Sequence, residues 1–225
     1  MDPLDVISMG VFSYLRKHPR VSHLDNKAFV GATTEQVSVW DQKNHPCVLP
    51  EDLKRFYTLT NGLSVKWFAL FRGQSTLAGH FALNSVQDLQ RCRVENFARL
   101  CRPPDIHRIG HVHGDDTATA FPLESSPQYG DVALVFFSDK SSQIWFRDLR
   151  GKWSFLAQTF THYYRMMIAH LGLVAWPCIF SDGGLDPVRK PWFYLFIPQR
   201  MALDEQEESR TAQKATGSAP VPICE

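Results

Sequence analysis

Five side chains between positions 107 and 116 have the chemistry of metal ligands: His107, His111, His113, Asp115 and Asp116. Imidazole and carboxylate donors suit zinc and related ions. On an extended strand His111 and His113 would project to one side. A stable site needs three or four ligands, each held by hydrogen bonds of its own, and no third ligand follows here at a known spacing. Gly110 and Gly114 flank the pair, so the stretch reads as an exposed loop and no metal is expected. Asp115, Asp116, Glu124 and Asp131 offer carboxylates for acid–base work, but such a pair needs a shielded pocket. Nothing in the sequence marks one, and these four read as surface charges. Arg72-Gly73 and Gly183-Gly184 lack the glycine spacing, the lysine and the helix opening that cradle phosphate. There is no Gly-x-Ser-x-Gly, and none of the five cysteines sits in a nucleophile signature. The expectation is a chain without catalytic residues or cofactors, one that acts by binding.

Composition supports that reading. The 225 residues are 44% hydrophobic and 21% charged, with a formal net charge of +1. These are the proportions of an ordinary soluble globular protein. A net charge this small supplies no bulk attraction to nucleic acid or a membrane surface. No apolar run approaches the roughly 20 residues that span a bilayer. The acidic start, Met1-Asp2-Pro3-Leu4-Asp5, is unlike a secretory leader. Reduced thiols in a cytosolic setting are therefore expected of the five cysteines, which are odd in number and not closely paired. The distinctive feature is 28 aromatic residues (6 Trp, 6 Tyr, 16 Phe). They imply a large core, or apolar surface kept for a partner.

The element expected to organise the rest is a helix from Phe160. Phe160, Tyr163, Tyr164, Met167, Ile168 and Leu171 make one continuous apolar stripe. Thr159 suits its N-cap and Gly172 the left-handed position after its end. His162, Arg165 and His170 fall off the stripe, toward solvent or a partner. Earlier in the chain, one helix is expected from Pro3 to about Lys17, a short strand over 28–31, and a Thr33- or Thr34-capped helix through Trp40. Leu49-Pro50-Glu51-Asp52 opens another helix, with Leu53, Phe56, Tyr57 and Thr60 buried and Asn61-Gly62 at its C-terminus. A half-buried strand from Leu63, a turn at Arg72-Gly73-Gln74 and a strand over 79–83 follow, then a helix with Val86 and Leu89 inward. Strands are expected over 117–123, 131–137, 143–149 and 153–156. The one at 131–137 is apolar on both sides and so central. Leu173 to Phe180 reads as helical, as does a short segment from Asp186-Pro187 to Phe193. The resulting class is α+β, a single and mostly antiparallel sheet packed against helices. The division is a lead-in over 1–34, a domain over 35–197 and a disordered tail over 198–225.

Leu49-Pro50-Glu51-Asp52, the aromatic pair Phe56-Tyr57, then Thr60-Asn61-Gly62 and a strand resemble the signature of the Smi/Knr-like (SUKH) superfamily. A closer resemblance is to the tubulin polyglutamylase complex subunit 2 family. It is carried in order by Trp40-Asp41-Gln42-Lys43-Asn44, Pro50-Glu51-Asp52, Thr60-Asn61-Gly62, Ile144-Trp145-Phe146, Thr159-Phe160-Thr161, Tyr163-Tyr164-Arg165, His170-Leu171-Gly172-Leu173 and Trp192-Phe193, over about residues 35–197.

The resemblance implies a SUKH-like domain and a non-catalytic scaffold subunit. A separate tubulin-tyrosine-ligase-like chain would add glutamate chains to tubulin. The implied partners are that ligase and its sister subunits, with tubulin contact direct or indirect. The implied place is the cytoplasm and cytoskeleton, on microtubules and at the centriolar or ciliary base. Tyr163, Arg165, His170, Trp176, Trp192 and Phe193 are the residues expected to meet partners. Core packing competes for Tyr163, Trp176 and Trp192, since helix aromatics are mostly buried. Arg165 and His170, off the stripe, are the favoured surface residues. Two other classes stand beside this one: a stand-alone SUKH-type binding module of immunity or regulatory kind, and a hydrolase built on the His111/His113 loop.

Overall fold

The structure, a computed structural model, describes residues 3–27, 29–109 and 116–216. The chain opens with two short helices, α1 (Pro3–Ile7) and α2 (Val11–Lys17). The single helix expected there is broken by left-handed backbone at Met9 and Gly10. Asp5 makes the break stable: its buried carboxylate accepts from the amides of Phe12 (3.0 Å) and Ser13 (3.3 Å), the open donors of α2.

Strand β1 (Val21–Lys27) precedes α3 (Thr34–Lys43) and α4 (Glu51–Leu59). Thr33 and Gln36 close a reciprocal capping box on α3. Leu53, Phe56 and Tyr57 are the buried face of α4, as its spacing predicts. β2 (Leu63–Phe71) and β3 (Gln74–Leu83) then form a hairpin whose two-residue turn, Arg72-Gly73, has positive φ at both positions. β2 alternates, with Leu63, Val65, Trp67 and Ala69 inward. It lies at the centre of a three-stranded sheet, β1-β2-β3, antiparallel throughout.

A single turn of 3₁₀ helix at Val86–Asp88, in place of the helix expected there, leads to β4 (Cys92–Glu95) and α5 (Phe97–Leu100). A further 3₁₀ segment covers Pro103–Arg108. Next come β5 (Thr117–Ser126), β6 (Gly130–Phe136), β7 (Ser142–Asp148) and β8 (Trp153–Ala157), then α6 (Phe160–Ala169), a 3₁₀ turn at Trp176–Phe180, α7 (Lys190–Phe196) and α8 (Pro198–Thr216). Strands β4 to β8 pair antiparallel in sequence order.

The α+β class expected from the sequence holds, with the strands divided between two antiparallel sheets. The sheets are tied where Asn84, just past β3, donates its amide to Leu123 O (2.7 Å) and its side-chain amide to Pro122 O (3.0 Å). The five-stranded sheet is buried on both faces. Val132, Leu134, Phe136, Ile144 and Phe146 join the main core with α4 and α6. Ala133, Val135, Trp145 and Trp153 face a second cluster closed by Phe97 and Cys101. This is why β6 reads as apolar on both sides.

The strand expected over 28–31 lies earlier, at β1. Residues 198–216, expected to be disordered, are helical. Among the described residues, no helix is long and apolar enough to cross a membrane.

The turn after α6 closes on the smaller sheet. His80 N donates to Gly172 O (2.7 Å), Val174 N to Ala78 O (3.0 Å), and the Trp67 indole N–H to Leu171 O (2.7 Å). Gly79 makes that approach possible: a β-carbon there would stand 2.0 Å from the Trp67 indole nitrogen and 2.9 Å from Gly172 O. Replacing Gly79 with Ala is therefore expected to cost roughly 2–3 kcal/mol through overpacking, read as a lowered urea midpoint with an unchanged m-value.

Candidate functional site

Helix α6 is fixed at both ends. Thr159 caps it through the His162 amide (3.2 Å), and the Asp52 carboxylate of α4 accepts from Thr161 N (2.7 Å) and Thr161 Oγ1 (3.0 Å). Phe56 packs edge-on against Phe160 and Tyr164 at 5.1 and 5.2 Å between centroids. The Tyr164 hydroxyl meets Ser8 Oγ at 2.7 Å. At the C-terminus Leu171 and Gly172 both turn left-handed. Helical spacing therefore stops predicting direction at Ala169.

His170 shows the result. It was expected to face solvent, and it is 1% exposed. Its Nδ1 lies 2.6 Å from Met166 O, its Nε2 lies 2.9 Å from Asp204 Oδ2, and its ring stacks on Trp176 at 5.0 Å. Both ring nitrogens are thus engaged within the fold. Asp204 comes from α8, the segment read from sequence as tail, and its other oxygen takes the Arg200 guanidinium. Burial pushes the Asp204 carboxyl up, but the hydrogen bonds from His170 and Arg200 prevail and hold it below its usual value. Met201 is buried beside it in sequence, at helical spacing from the buried Ile197. That spacing, with Pro198 opening the helix and the Arg200–Asp204 pair four apart, was the available signal for α8.

The other expected partner residues divide in the same way. Tyr163, Trp176 and Phe193 are buried, and Tyr163 and His170 converge on the Trp176 ring in the core. Arg165 is exposed on α6 and Trp192 is half-buried on α7. Only these two present accessible surface.

Trp192 belongs to an apolar patch. Its ring lies 5.6 Å from Phe71 at the tip of the β2–β3 hairpin. Leu77, Val188, Trp192 and Phe193 line a shallow cleft of about 280 Å³ between hairpin and helix. Phe71 is 51% exposed and Val188 79%, with Leu77 also exposed. Sequence reasoning missed Phe71 and Leu77, which the β2–β3 hairpin brings to one side, and Val188, which reaches them from the distant segment before α7.

The carboxylates resolve differently from their reading as surface charge. Asp131 pairs with Arg147, and Asp116 accepts from the Ala98 amide (3.0 Å). Glu124 is buried. The Tyr129 hydroxyl donates to its Oε1 and the Tyr163 hydroxyl reaches its Oε2 at 3.5 Å. Burial raises its pKa to about 7, against the lowering effect of both phenols. His107 is exposed on the 3₁₀ turn, while His111, His113 and Asp115 lie outside the described residues. Among the described residues, no group of three or more His, Cys, Asp or Glu side chains is placed to hold a metal ion.

Tubulin polyglutamylase complex subunit 2 of Rattus norvegicus is 30% identical to this chain over 213 residues, covering 87% of the chain and 72% of the relative. The Homo sapiens protein of the same name is 32% identical over 212 residues, at 87% and 70% coverage. This chain belongs to the tubulin polyglutamylase complex subunit 2 family. No protein-family model and no solved structure matches it. For this family member, the resemblance seen in the Pro50-Glu51-Asp52 and Tyr163-Tyr164-Arg165 blocks thus extends over most of the chain.

Two measurements follow from the His170–Asp204 pair. Asp204→Ala leaves a buried ring and a guanidinium without their anion and is expected to destabilise by about 3 kcal/mol, with accelerated amide exchange in α8. Because the folded pKa of Asp204 lies below its unfolded value, its contribution is full above the unfolded pKa and is lost as pH falls through the folded one. In Asp204→Asn that part of the acid-unfolding curve is expected to flatten.

Proposed function

We propose that the chain is a non-catalytic scaffold subunit of a tubulin polyglutamylase complex. It supports the addition of glutamate chains to tubulin by a separate ligase chain of tubulin-tyrosine-ligase-like type, in the cytoplasm and on microtubules. The observation that carries the reading is the 30–32% identity over 87% of the chain to proteins named as subunits of that complex. The disposition of its reactive groups is compatible with it. His170, Asp204, Tyr163 and Glu124 bond to one another within the fold, and the thiols of Cys101 and Cys178 are pushed up to about 12 and about 11 by burial. Neither thiol is readily ionised as a nucleophile.

The docking surface in this proposal is the hairpin–α7 patch of Phe71, Leu77, Val188 and Trp192. Interface hot spots are few, enriched in Trp, and seated against apolar neighbours. A Trp packed on an exposed Phe beside a shallow cleft fits that description. Arg165 serves as a second, polar contact on α6.

Phe71→Asp with Val188→Asp alters two exposed side chains, so stability is expected to change by less than about 1 kcal/mol. Affinity purification of this variant from cells is expected to lose the other complex subunits, measured by mass spectrometry. Full recovery of those subunits with the folded double variant refutes this surface. Arg165→Glu in the same assay is expected to weaken recovery several-fold.

A further inference from the structure

Between the outer face of the three-stranded sheet and the β5–β6 hairpin lies an open cleft of about 580 Å³. This is the size of a site for a small molecule or a few residues of a peptide. Ser64, His80 and Ala82 line it on the sheet side, and Glu124, Ser126 and Tyr129 on the hairpin side. Glu124 is the buried acid of this lining, and among the described residues no cation pairs with it. A buried carboxylate without a counter-ion is costly and is met elsewhere by a paired cation.

The remaining valence of that carboxylate is specific. Each oxygen has two lone-pair sites. Tyr129 occupies one on Oε1 and Tyr163 reaches one on Oε2, which among the described residues leaves one open acceptor on each oxygen. Two parallel acceptors on a planar group match the forked donors of a guanidinium. We propose that this cleft receives an arginine side chain from a protein partner, held by a bidentate pair with Glu124. The identity of the source as a protein rests on the reading of the chain as a complex subunit; the pocket chemistry does not.

The charged groups around the cleft are of both signs, so the guanidinium is selected by Glu124 and not by the cleft as a whole. Lys27 and Lys66 line the sheet side and Asp88 lies beside Ser85 at one end. His80 is held neutral, with burial and then Lys66 lowering its pKa to about 4. Its Nε2 is engaged with Ser64 Oγ at 3.1 Å. The lysines favour carboxylates next to the arginine in the bound segment.

The test uses the full chain with N-acetyl-arginine-N-methylamide as the probe. The Glu124 side-chain ¹³C signal is identified by its loss in Glu124→Gln. That variant keeps an acceptor for Tyr129 and removes an acid whose ionisation opposes folding. It is expected to be at least as stable as the parent at pH 8, which fixes it as a folded control. At pH 8 the probe is expected to shift the Glu124 signal saturably, with affinity at least tenfold weaker for Glu124→Gln. Affinity is expected to fall up to tenfold per pH unit below about 7, as the carboxyl takes its proton. An unmoved Glu124 signal up to the probe's solubility limit overturns the proposal, as does equal affinity for the variant. Equal binding of the corresponding lysine amide overturns the guanidinium fork. Much tighter binding of free L-arginine than of the blocked residue overturns a protein source. None of these outcomes depends on the hairpin–α7 patch, which the co-purification experiment tests separately.

Discussion

Everything in this chain is arranged around one close approach: the turn after α6 against strand β3. Three hydrogen bonds cross it, from His80, Val174 and the Trp67 indole. It joins the smaller sheet to the layer formed by the larger sheet and α6. The contact is possible because Gly79 leaves room for the Trp67 ring and Gly172 leaves room for Phe81, whose ring would stand 2.9 Å from an added β-carbon. The largest buried side chain of the smaller sheet thus has its one polar atom satisfied by a carbonyl 104 residues away. A buried indole N–H without such a partner would cost about 1–3 kcal/mol.

That junction also explains why the aromatic content, read from sequence as either core or partner surface, is mostly core. Phe160, Tyr163, Tyr164 and Phe56 fill the space between α4 and α6, and Trp145, Trp153 and Phe97 fill the far side of the larger sheet. Aromatic surface is left chiefly where the β2–β3 hairpin extends beyond the junction and meets α7. The proposed binding face is thereby carried on a tight turn and a short helix, both anchored in the core by neighbours such as Phe193 and Ala78. Such a platform presents side chains with little loss of conformational entropy on association.

The sequence was legible where periodicity and end chemistry agreed. α3, α4, β2, β6 and α6 have apolar spacing, caps and turns that point the same way, and they lie where expected. β1 escaped notice because it is an edge strand, exposed along most of its length, with His23, Asp25 and Lys27 in place of an apolar alternation. α8 escaped because three residues, Ile197, Met201 and Asp204, dock its start while the rest of its composition is that of a solvated segment. Glu124 was misread for a geometric reason. The strand was expected to end at 123, yet β5 runs on to Ser126, and its register shifts between Pro122 and Glu124 so that Leu123 and Glu124 are both buried. A bulge is a property of the paired strands and leaves little trace in one of them.

The hinge between the last two helices has a mechanical corollary. Only Ile197 separates α7 from α8, and it is itself buried. There is no slack there to absorb a displacement. Trp192 on α7 and Asp204 on α8, whose carboxylate meets the His170 imidazole, are thus carried on two helices joined through one buried residue.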